Sequence, residues 1–69
     1  MEIRRLVADN IRRLRKDRGL SQEQLAFEAG LHRTYISGVE RAVRNPTIVI
    51  IDKIATALGI EPIELFRSG

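Results

Sequence analysis

Apolar residues recur at helical spacing along this 69-residue chain, and glycine, proline or polar residues separate the apolar runs. In the first stretch they stand at positions i, i+4, i+8 and i+11, which places them on one stripe of a helix. The stripe consists of Ile3, Val7, Ile11 and Leu14. We expect this first helix to end at Arg18 and Gly19, because glycine directly after the last periodic turn is a typical helix stop.

A second helix is predicted to begin after Ser21. The Ser21 hydroxyl can cap the helix, and Gln24 three residues later completes a capping box. Gly30 supplies the left-handed residue that commonly ends a helix. The inner face of this helix is expected to contain Leu25, Ala26 and Ala29.

A third helix is predicted to begin near His32 or Arg33 and to run to about Arg41. Ile36 and Val39 stand three positions apart and fix its inward face. Residues 21–41 therefore predict two short helices joined by a tight glycine turn, an arrangement that can place the second of them in the DNA major groove.

The rest of the chain also predicts helices. Asn45 and Pro46 belong to a loop, because proline pushes the preceding residue out of the helical region. Thr47 caps a fourth helix that Gly59 closes, and Pro62 at a first-turn position opens a last short helix. The expected inner residues are Ile51, Ile54, Ala55 and Leu58 in the fourth helix, and Ile63, Leu65 and Phe66 in the fifth. Without any alternating strand pattern, the chain is predicted to be an all-α domain of five short helices.

Size and composition narrow the function. Residues 1–69 are expected to form a single domain, which buries only about 60% of its unfolded surface and would gain from a partner subunit. The absence of cysteine and the presence of a lone histidine, His32, argue against a metal site, and no cofactor is expected. No run approaches the roughly 20 apolar residues that span a bilayer, and the amino terminus lacks an apolar signal core. We therefore expect a cytoplasmic protein without a membrane partner.

The positive charge is unevenly distributed. The formal net charge is +3, and seven of the twelve basic residues lie in the first twenty positions. Those seven are Arg4, Arg5, Arg12, Arg13, Arg15, Lys16 and Arg18, whereas Asp52, Glu61 and Glu64 lie near the other end. A basic half suits a molecule that lays one face on a polyanion. The alternative interpretation of the first helix is a solvated charged face.

The outward face of the third helix carries the chemistry of base recognition. At about 100° per residue, the two inward residues leave Arg33, Thr34 and Ser37 pointing away from the core, with Tyr35 at the flank. Arginine can donate two hydrogen bonds to guanine, and the methyl group of threonine fits against thymine. Tyrosine can stack on a base edge or donate a hydrogen bond to a phosphate. These four residues are the predicted base contacts.

Contacts to the DNA backbone are predicted on both sides of that helix. The amide groups at the start of the second helix, together with the Gln22 side chain, can bind a phosphate. Arg44 and Asn45 can hold another phosphate or enter the minor groove. The alternatives are that Gln22 is an ordinary first-turn residue and that the loop is an ordinary turn with a solvated arginine.

Residues 20–47, LSQEQLA-x-x-AGL-x-R-x-YIS-x-VER-x-x-RNPT, resemble the Cro/repressor-type helix-turn-helix domains of the xenobiotic-response-element class. The run IDKIATALGIEPIELF extends the resemblance over nearly the whole chain. Within that class, HRTYISGVER-x-x-RN is similar to the recognition segment of restriction–modification controller proteins. The resemblance implies a lambda-repressor-like fold and a small dimer that regulates its own gene and an endonuclease gene.

By alignment on these motifs, the resemblance implies roles for individual residues. Those that read or flank base edges are Arg33, Thr34, Tyr35 and Ser37. Gln22 matches a residue that binds phosphate, and Arg44 matches a loop arginine that contacts the backbone or the minor groove. Arg15 and Glu40 match a partly buried ion pair that joins the first and third helices.

Two positions depart from the family pattern. Ala42 stands where glycine is usual after the recognition helix. If its backbone is left-handed, it carries roughly 1–2 kcal/mol of strain; otherwise the loop takes a different path. Gly38 replaces a longer residue that repressors use for base contact, so we expect it to read no base. With no side chain, it lets backbone, DNA or a second subunit come close.

The fourth helix is more apolar than one buried face requires. Ile48, Val49, Ile50 and Ile51 are consecutive, so they cannot all face one core. We expect a twofold interface within residues 48–66 that includes Val49, Ile50, Ile60 and Ile63. It would set two recognition helices about one DNA turn, ~34 Å, apart on a pseudo-palindrome. The alternative is that Ile48 staples the cap and Val49 is a scattered surface residue.

The predicted function is a dimeric, sequence-specific transcription regulator that binds operator DNA, with RNA polymerase as a further partner if it activates. A prophage-type repressor is an alternative, and so is an antitoxin whose main partner is a toxin protein. The antitoxin is less favoured because such proteins usually carry an extra segment for the toxin. An enzyme is not expected, because His32 stands without a neighbouring nucleophile and no phosphate-loop motif is present.

Overall fold

The computed structural model describes residues 2–68, and all of its regular structure is helical. Four α-helices span Ile3–Asp17 (α1), Gln22–Ala29 (α2), Arg33–Glu40 (α3) and Ile48–Leu58 (α4), followed by a 3₁₀-helix at Pro62–Phe66. The all-helical prediction is confirmed across residues 2–68. The expected count of five helices is wrong if α-helices are meant, because the last element is a 3₁₀-helix.

The last element cannot develop an α-helical ladder. It is only five residues long, little more than one α-helical turn of about 3.6 residues. The N–H of Glu64 donates instead to the carbonyl of Glu61, three residues earlier, at 3.0 Å. Arg67 then adopts an extended conformation, which ends the element. Sequence periodicity alone does not distinguish these two helix types over so short a segment.

The helix ends follow local chemistry that the sequence displays. The Ser21 hydroxyl accepts a hydrogen bond from the N–H of Gln24, and the Gln24 side chain accepts one from the N–H of Ser21. Thr47 caps α4 by accepting from the N–H of Ile50 at 3.2 Å. Gly30 ends α2 with a φ of +70°, as predicted. These contacts confirm the predicted capping of α2 and α4.

The N-terminal cap of α1 is Glu2, which the hydrophobic stripe did not indicate. Its carboxylate accepts a hydrogen bond from the backbone N–H of Arg4 at 2.8 Å, and this bond lowers the pKa of Glu2. Ile3, the first residue of the predicted stripe, is 51% exposed and lies outside the core. Ile3 is the first residue of α1 and lines an apolar surface groove together with Ile48 and Phe66.

The core lies where the four α-helices and the 3₁₀-helix meet. Its largest fully buried side chains are Ile11, Leu25, Ile36, Ile54, Leu58, Leu65 and Val39. The predicted inner faces of α2, α3 and α4 are all buried, whereas in the last element only Leu65 is. Ile63 and Phe66 are 58% and 39% exposed, so that part of the expected core is corrected.

No helix within residues 2–68 combines the length and the apolar character that crossing a lipid bilayer requires.

Candidate nucleic-acid interface

Helix α3 has one face in the core and the other turned outward. Ile36 and Val39 are 0% and 2% exposed. The polar side chains on the remaining surface are Arg33, Thr34, Tyr35 and Ser37, of which the first two are exposed and the last two half-buried. All four therefore lie on or beside one solvent-facing surface, and the core does not require their side chains.

A buried ion pair fixes α3 against α1. Arg15 Nε donates to Glu40 Oε2 at 2.7 Å, and Arg15 Nη2 donates to Glu40 Oε1 at 3.0 Å. The third nitrogen, Nη1, donates to the carbonyl of Leu20 at 2.8 Å. The two side chains are only 10% and 4% exposed. Two parallel hydrogen bonds of this kind fix orientation as well as distance, so the pair sets the angle at which α3 is presented.

Gln22 is tied to the same carboxylate. Its Nε2 donates to Glu40 Oε1 at 3.2 Å, a contact that sequence reasoning missed because the two residues are 18 positions apart. Gln22 and Arg33 line a polar cavity of about 500 Å³ between the start of α2 and the start of α3. Arg15, Ser21 and Glu23 complete its lining. An anion in this cavity would meet both the first-turn amides of α2 and the arginine side chain.

The loop after α3 turns back on the helix at a left-handed residue. Ala42 has a φ of +61°, and it is the single non-glycine residue with positive φ among residues 2–68. Its N–H donates to the carbonyl of Val39, and the N–H groups of Val43 and Arg44 donate to the carbonyl of Gly38 at 3.0 and 3.2 Å. The condition for strain at Ala42 is therefore met, since an L-residue in this region loses roughly 1–2 kcal/mol.

The left-handed turn brings Arg44 over the outward face of α3. The guanidinium carbon of Arg44 lies 5.5 Å from the centre of the Tyr35 ring, within range of a cation–π contact. Asn45 is exposed and lies beside Pro46 at the edge of an apolar groove. The structure thus brings Arg44 to the predicted base-reading surface and leaves Asn45 further along the loop.

Comparison with known proteins identifies this arrangement. The model of a helix-turn-helix family, HTH_3, matches residues 11–65, which include the two helices and the turn just described. The chain belongs to this helix-turn-helix family.

Two similar proteins are named as a control protein and as a restriction–modification controller protein. The control protein C.BamHI of Bacillus amyloliquefaciens is 48% identical over 64 residues, covering 91% of this chain and 79% of the relative. The crystal structure of the restriction–modification controller protein C.AhdI from Aeromonas hydrophila is 54% identical, with a TM-score of 0.90, and the match covers 91% of this chain and 96% of that one. The resemblance to controller proteins is confirmed at this level of identity.

A third relative has been solved on DNA. The controller protein C.Esp1396I, as a tetramer in complex with its natural 35 base-pair operator, is 36% identical with a TM-score of 0.88. The match covers 96% of this chain and 87% of that one. The lambda-repressor-like assignment of the fold agrees with these neighbours in the helix-turn-helix family.

Some of the basic residues in α1 and directly after it make contacts within the domain itself. Arg15 is buried in the ion pair, and Arg18 donates through Nη1 to the carbonyl of Leu58 at the end of α4. Arg5 and Arg13 lie 3.9 and 4.0 Å from acidic residues one turn away on the exposed surface of α1, pairs of little energetic weight. The count of basic residues in α1 therefore overstates the charge available to a polyanion.

The residues expected at a dimer interface differ in exposure. Val49 and Ile63 are 60% and 58% exposed. Ile50 and Ile60 are half-buried and pack against the core of their own domain. Ile48, next to Val49, is 85% exposed. The apolar surface available to a second helix-turn-helix domain is thus centred on Val49, Ile63 and Ile48 more than on the two half-buried isoleucines.

Proposed function

We propose that this chain, as a single helix-turn-helix domain, is a sequence-specific DNA-binding transcription regulator. One observation carries the proposal: α3 places Ile36 and Val39 in the core while four polar side chains remain on its outer surface. A helix held in this way can lie in the major groove, where base edges differ in their donors and acceptors. Arg33 and Thr34, exposed in the first turn of α3, are the residues proposed to read bases, with Tyr35 and Ser37 beside them.

Phosphate contacts are proposed on either side of α3. Gln22 and the first-turn amides of α2 would bind one phosphate at the polar cavity, whose lining also includes Arg33. Arg44 and Asn45 would contact the backbone or the minor groove from the loop after α3. Such contacts fix the position of the domain on DNA but carry no sequence information directly.

The working form is proposed to be a homodimer on a pseudo-palindromic operator. The exposed apolar residues Val49 and Ile63 support this proposal, because a self-complementary patch suits a twofold interface. Binding of the C.Esp1396I tetramer to its operator supports it as well. The protein would act in the cytoplasm, where bacterial operator DNA is found, and RNA polymerase would be a further partner of an activator.

The regulated genes are proposed to be those of a restriction–modification system. The similarity to C.BamHI and C.AhdI, at 48% and 54% identity, supports this choice over a prophage repressor or an antitoxin. The relatives also support regulation over catalysis, because they are control and controller proteins.

Selection of bound DNA from a random pool, at stated salt, tests the proposal and yields the operator. On that operator, Arg33→Ala should lose about 1–3 kcal/mol of binding free energy and relax the preference at one base position. Gln22→Ala is the matched comparison, because it should weaken binding to all sequences alike. If no sequence is enriched, or if Arg33→Ala retains the wild-type preference, α3 is not the reading surface.

A further inference from the structure

Gly38 lies in the middle of α3 and is buried although it has no side chain. A Cβ atom built there would lie 2.5 Å from Arg44 Cγ and 3.4 Å from Arg44 Nε. Two non-bonded carbon atoms cannot approach to 2.5 Å, so any other residue at position 38 would displace Arg44. What covers Gly38 in the free protein is therefore a side chain of its own loop.

The path of Arg44 across α3 is defined at both ends. At one end its backbone N–H donates to the carbonyl of Gly38 at 3.2 Å, which holds the loop against the helix. At the other end its guanidinium carbon lies 5.5 Å from the centre of the Tyr35 ring. Tyr35 precedes Gly38 by three residues, so the two occupy the same side of the helix, one turn apart.

We propose that Gly38 is a positioning residue for DNA recognition. Its missing side chain leaves room for Arg44 to cross α3 and stack on Tyr35, so that guanidinium and phenol are presented to DNA as one preformed unit. A long arginine side chain otherwise loses rotamer freedom when it binds, and prior stacking reduces that loss. The inference rests on the proposed DNA-binding function. It would explain why α3 contains a glycine, a residue that lowers helix stability relative to alanine.

The first test needs no DNA. Tyr35 is the sole tyrosine, and its ring centre lies 5.5 Å from the guanidinium carbon of Arg44. The difference in chemical shift of the Arg44 Cδ protons between the wild type and Tyr35→Leu therefore reports this contact, because any effect of Phe27, Phe66 or His32 is present in both. In the wild type these protons should be shifted upfield in the NMR spectrum, and in Gly38→Ala the shift should vanish. Tyr35→Leu gives the reference value for no ring. A shift that persists in Gly38→Ala overturns the proposal.

The second test is a double-mutant cycle measured by fluorescence anisotropy on the selected operator. Gly38→Ala should weaken binding about two- to fivefold, the factor that corresponds to an exposed cation–π contact. Arg44→Ala should weaken it further, since the charge itself is lost. In the Arg44→Ala background, Gly38→Ala should have no additional effect, because the Cγ and Nε atoms that it would meet are absent.

The outcomes separate the possible roles of position 38. If Gly38→Ala weakens binding equally in both backgrounds, the new methyl group meets DNA or a second subunit, and the proposal is overturned. If the wild type binds no operator, the proposed function itself fails, whereas normal binding by Gly38→Ala removes only the role of Gly38. Thermal melting followed by circular dichroism checks the fold, and the Arg44→Ala/Gly38→Ala variant should melt no lower than Arg44→Ala, because alanine favours a helix.

Discussion

The carboxylate of Glu40 serves two neighbours at once. It accepts two hydrogen bonds from the buried guanidinium of Arg15 and one from the amide of Gln22. The same group therefore joins α3 to α1 and fixes a side chain that is proposed to bind phosphate. Substitution at Glu40 should then affect the fold and the DNA-binding surface together, which separates it from the exposed residues of α3.

Replacing Glu40 by alanine leaves the Arg15 charge buried and unpaired. We expect Glu40→Ala to lower the free energy of unfolding by about 3–5 kcal/mol, a large share of the roughly 5–15 kcal/mol typical of a domain. Urea denaturation measures the change. Glu28→Ala, on the exposed surface of α2 and away from its first turn, is the control and should shift stability by at most about 0.5 kcal/mol. Equal stability of the two variants would show that the ion pair adds nothing to the fold.

Substitution at Ala42 is predicted to stabilise the fold, in contrast to Glu40→Ala. Its φ of +61° favours glycine, so Ala42→Gly should raise the free energy of unfolding by about 0.5–1 kcal/mol, the strain relieved less the chain entropy that glycine adds. Ala57→Gly, in the last turn of α4, is the matched control and should lower it by up to about 1 kcal/mol. Both values come from thermal or urea unfolding. Destabilisation by Ala42→Gly equal to that of the control would contradict the left-handed conformation.

The residues of the candidate site were predictable to the extent that helix geometry decides them. Two buried positions in α3 determine which of its side chains face outward, and those positions are visible as Ile36 and Val39. The link from Gln22 to Glu40 and the path of Arg44 were not predictable in this way. The first joins residues 18 positions apart, and the second depends on the backbone angle of Ala42, which turns the loop back over α3.

At the scale of elements, the ends of helices were easier to predict than the contacts between them. The caps of α2 and α4 depend on residues within three positions of each other, so the sequence displays them directly. The 3₁₀-helix is held by a residue far away: Asn10 Nδ2 donates to the carbonyls of Leu65 and Arg67, both at 2.9 Å. The sequence shows an asparagine at position 10, but it shows neither the burial of that side chain nor its partners in the last element.

Asn10 should therefore control the docking of the last element. Asn10→Ala leaves two carbonyls without their donor, and we expect a loss of about 1–3 kcal/mol in unfolding free energy. Hydrogen exchange should accelerate first at the amide of Glu64, the 3₁₀-helix residue whose N–H bonds to Glu61. Asp9→Ala, the exposed neighbour on α1, is the control and should leave that exchange unchanged. Equal exchange in both variants would assign the docking of this element to Leu65 packing alone.

At the scale of the whole molecule, size alone limits what one domain can contact. The longest extent of the domain is 29 Å, shorter than the ~34 Å that separates successive major-groove segments on one side of DNA. A single copy can place only one α3 in the major groove. In the proposed homodimer, two copies joined near α4 and the 3₁₀-helix would place a second α3 in the groove, and burial of the exposed Val49 and Ile63 would favour that pairing.

The interface can be tested at Val49 and Ile63, the two most exposed of the four residues predicted to form it. Val49→Glu and Ile63→Glu place a charge where apolar contact is expected, and each should convert the protein to a monomer in sedimentation-velocity experiments. Loss of the partner turns one bivalent binding event into a monovalent one, so affinity for the full operator should fall at least about tenfold. Phe27→Glu is the control, because Phe27 is 85% exposed on α2 and should not affect dimerisation. If the dimer persists in Val49→Glu and Ile63→Glu but dissociates in Phe27→Glu, the interface lies on α2. The distance between the two copies of α3 would then have to differ from one turn of DNA.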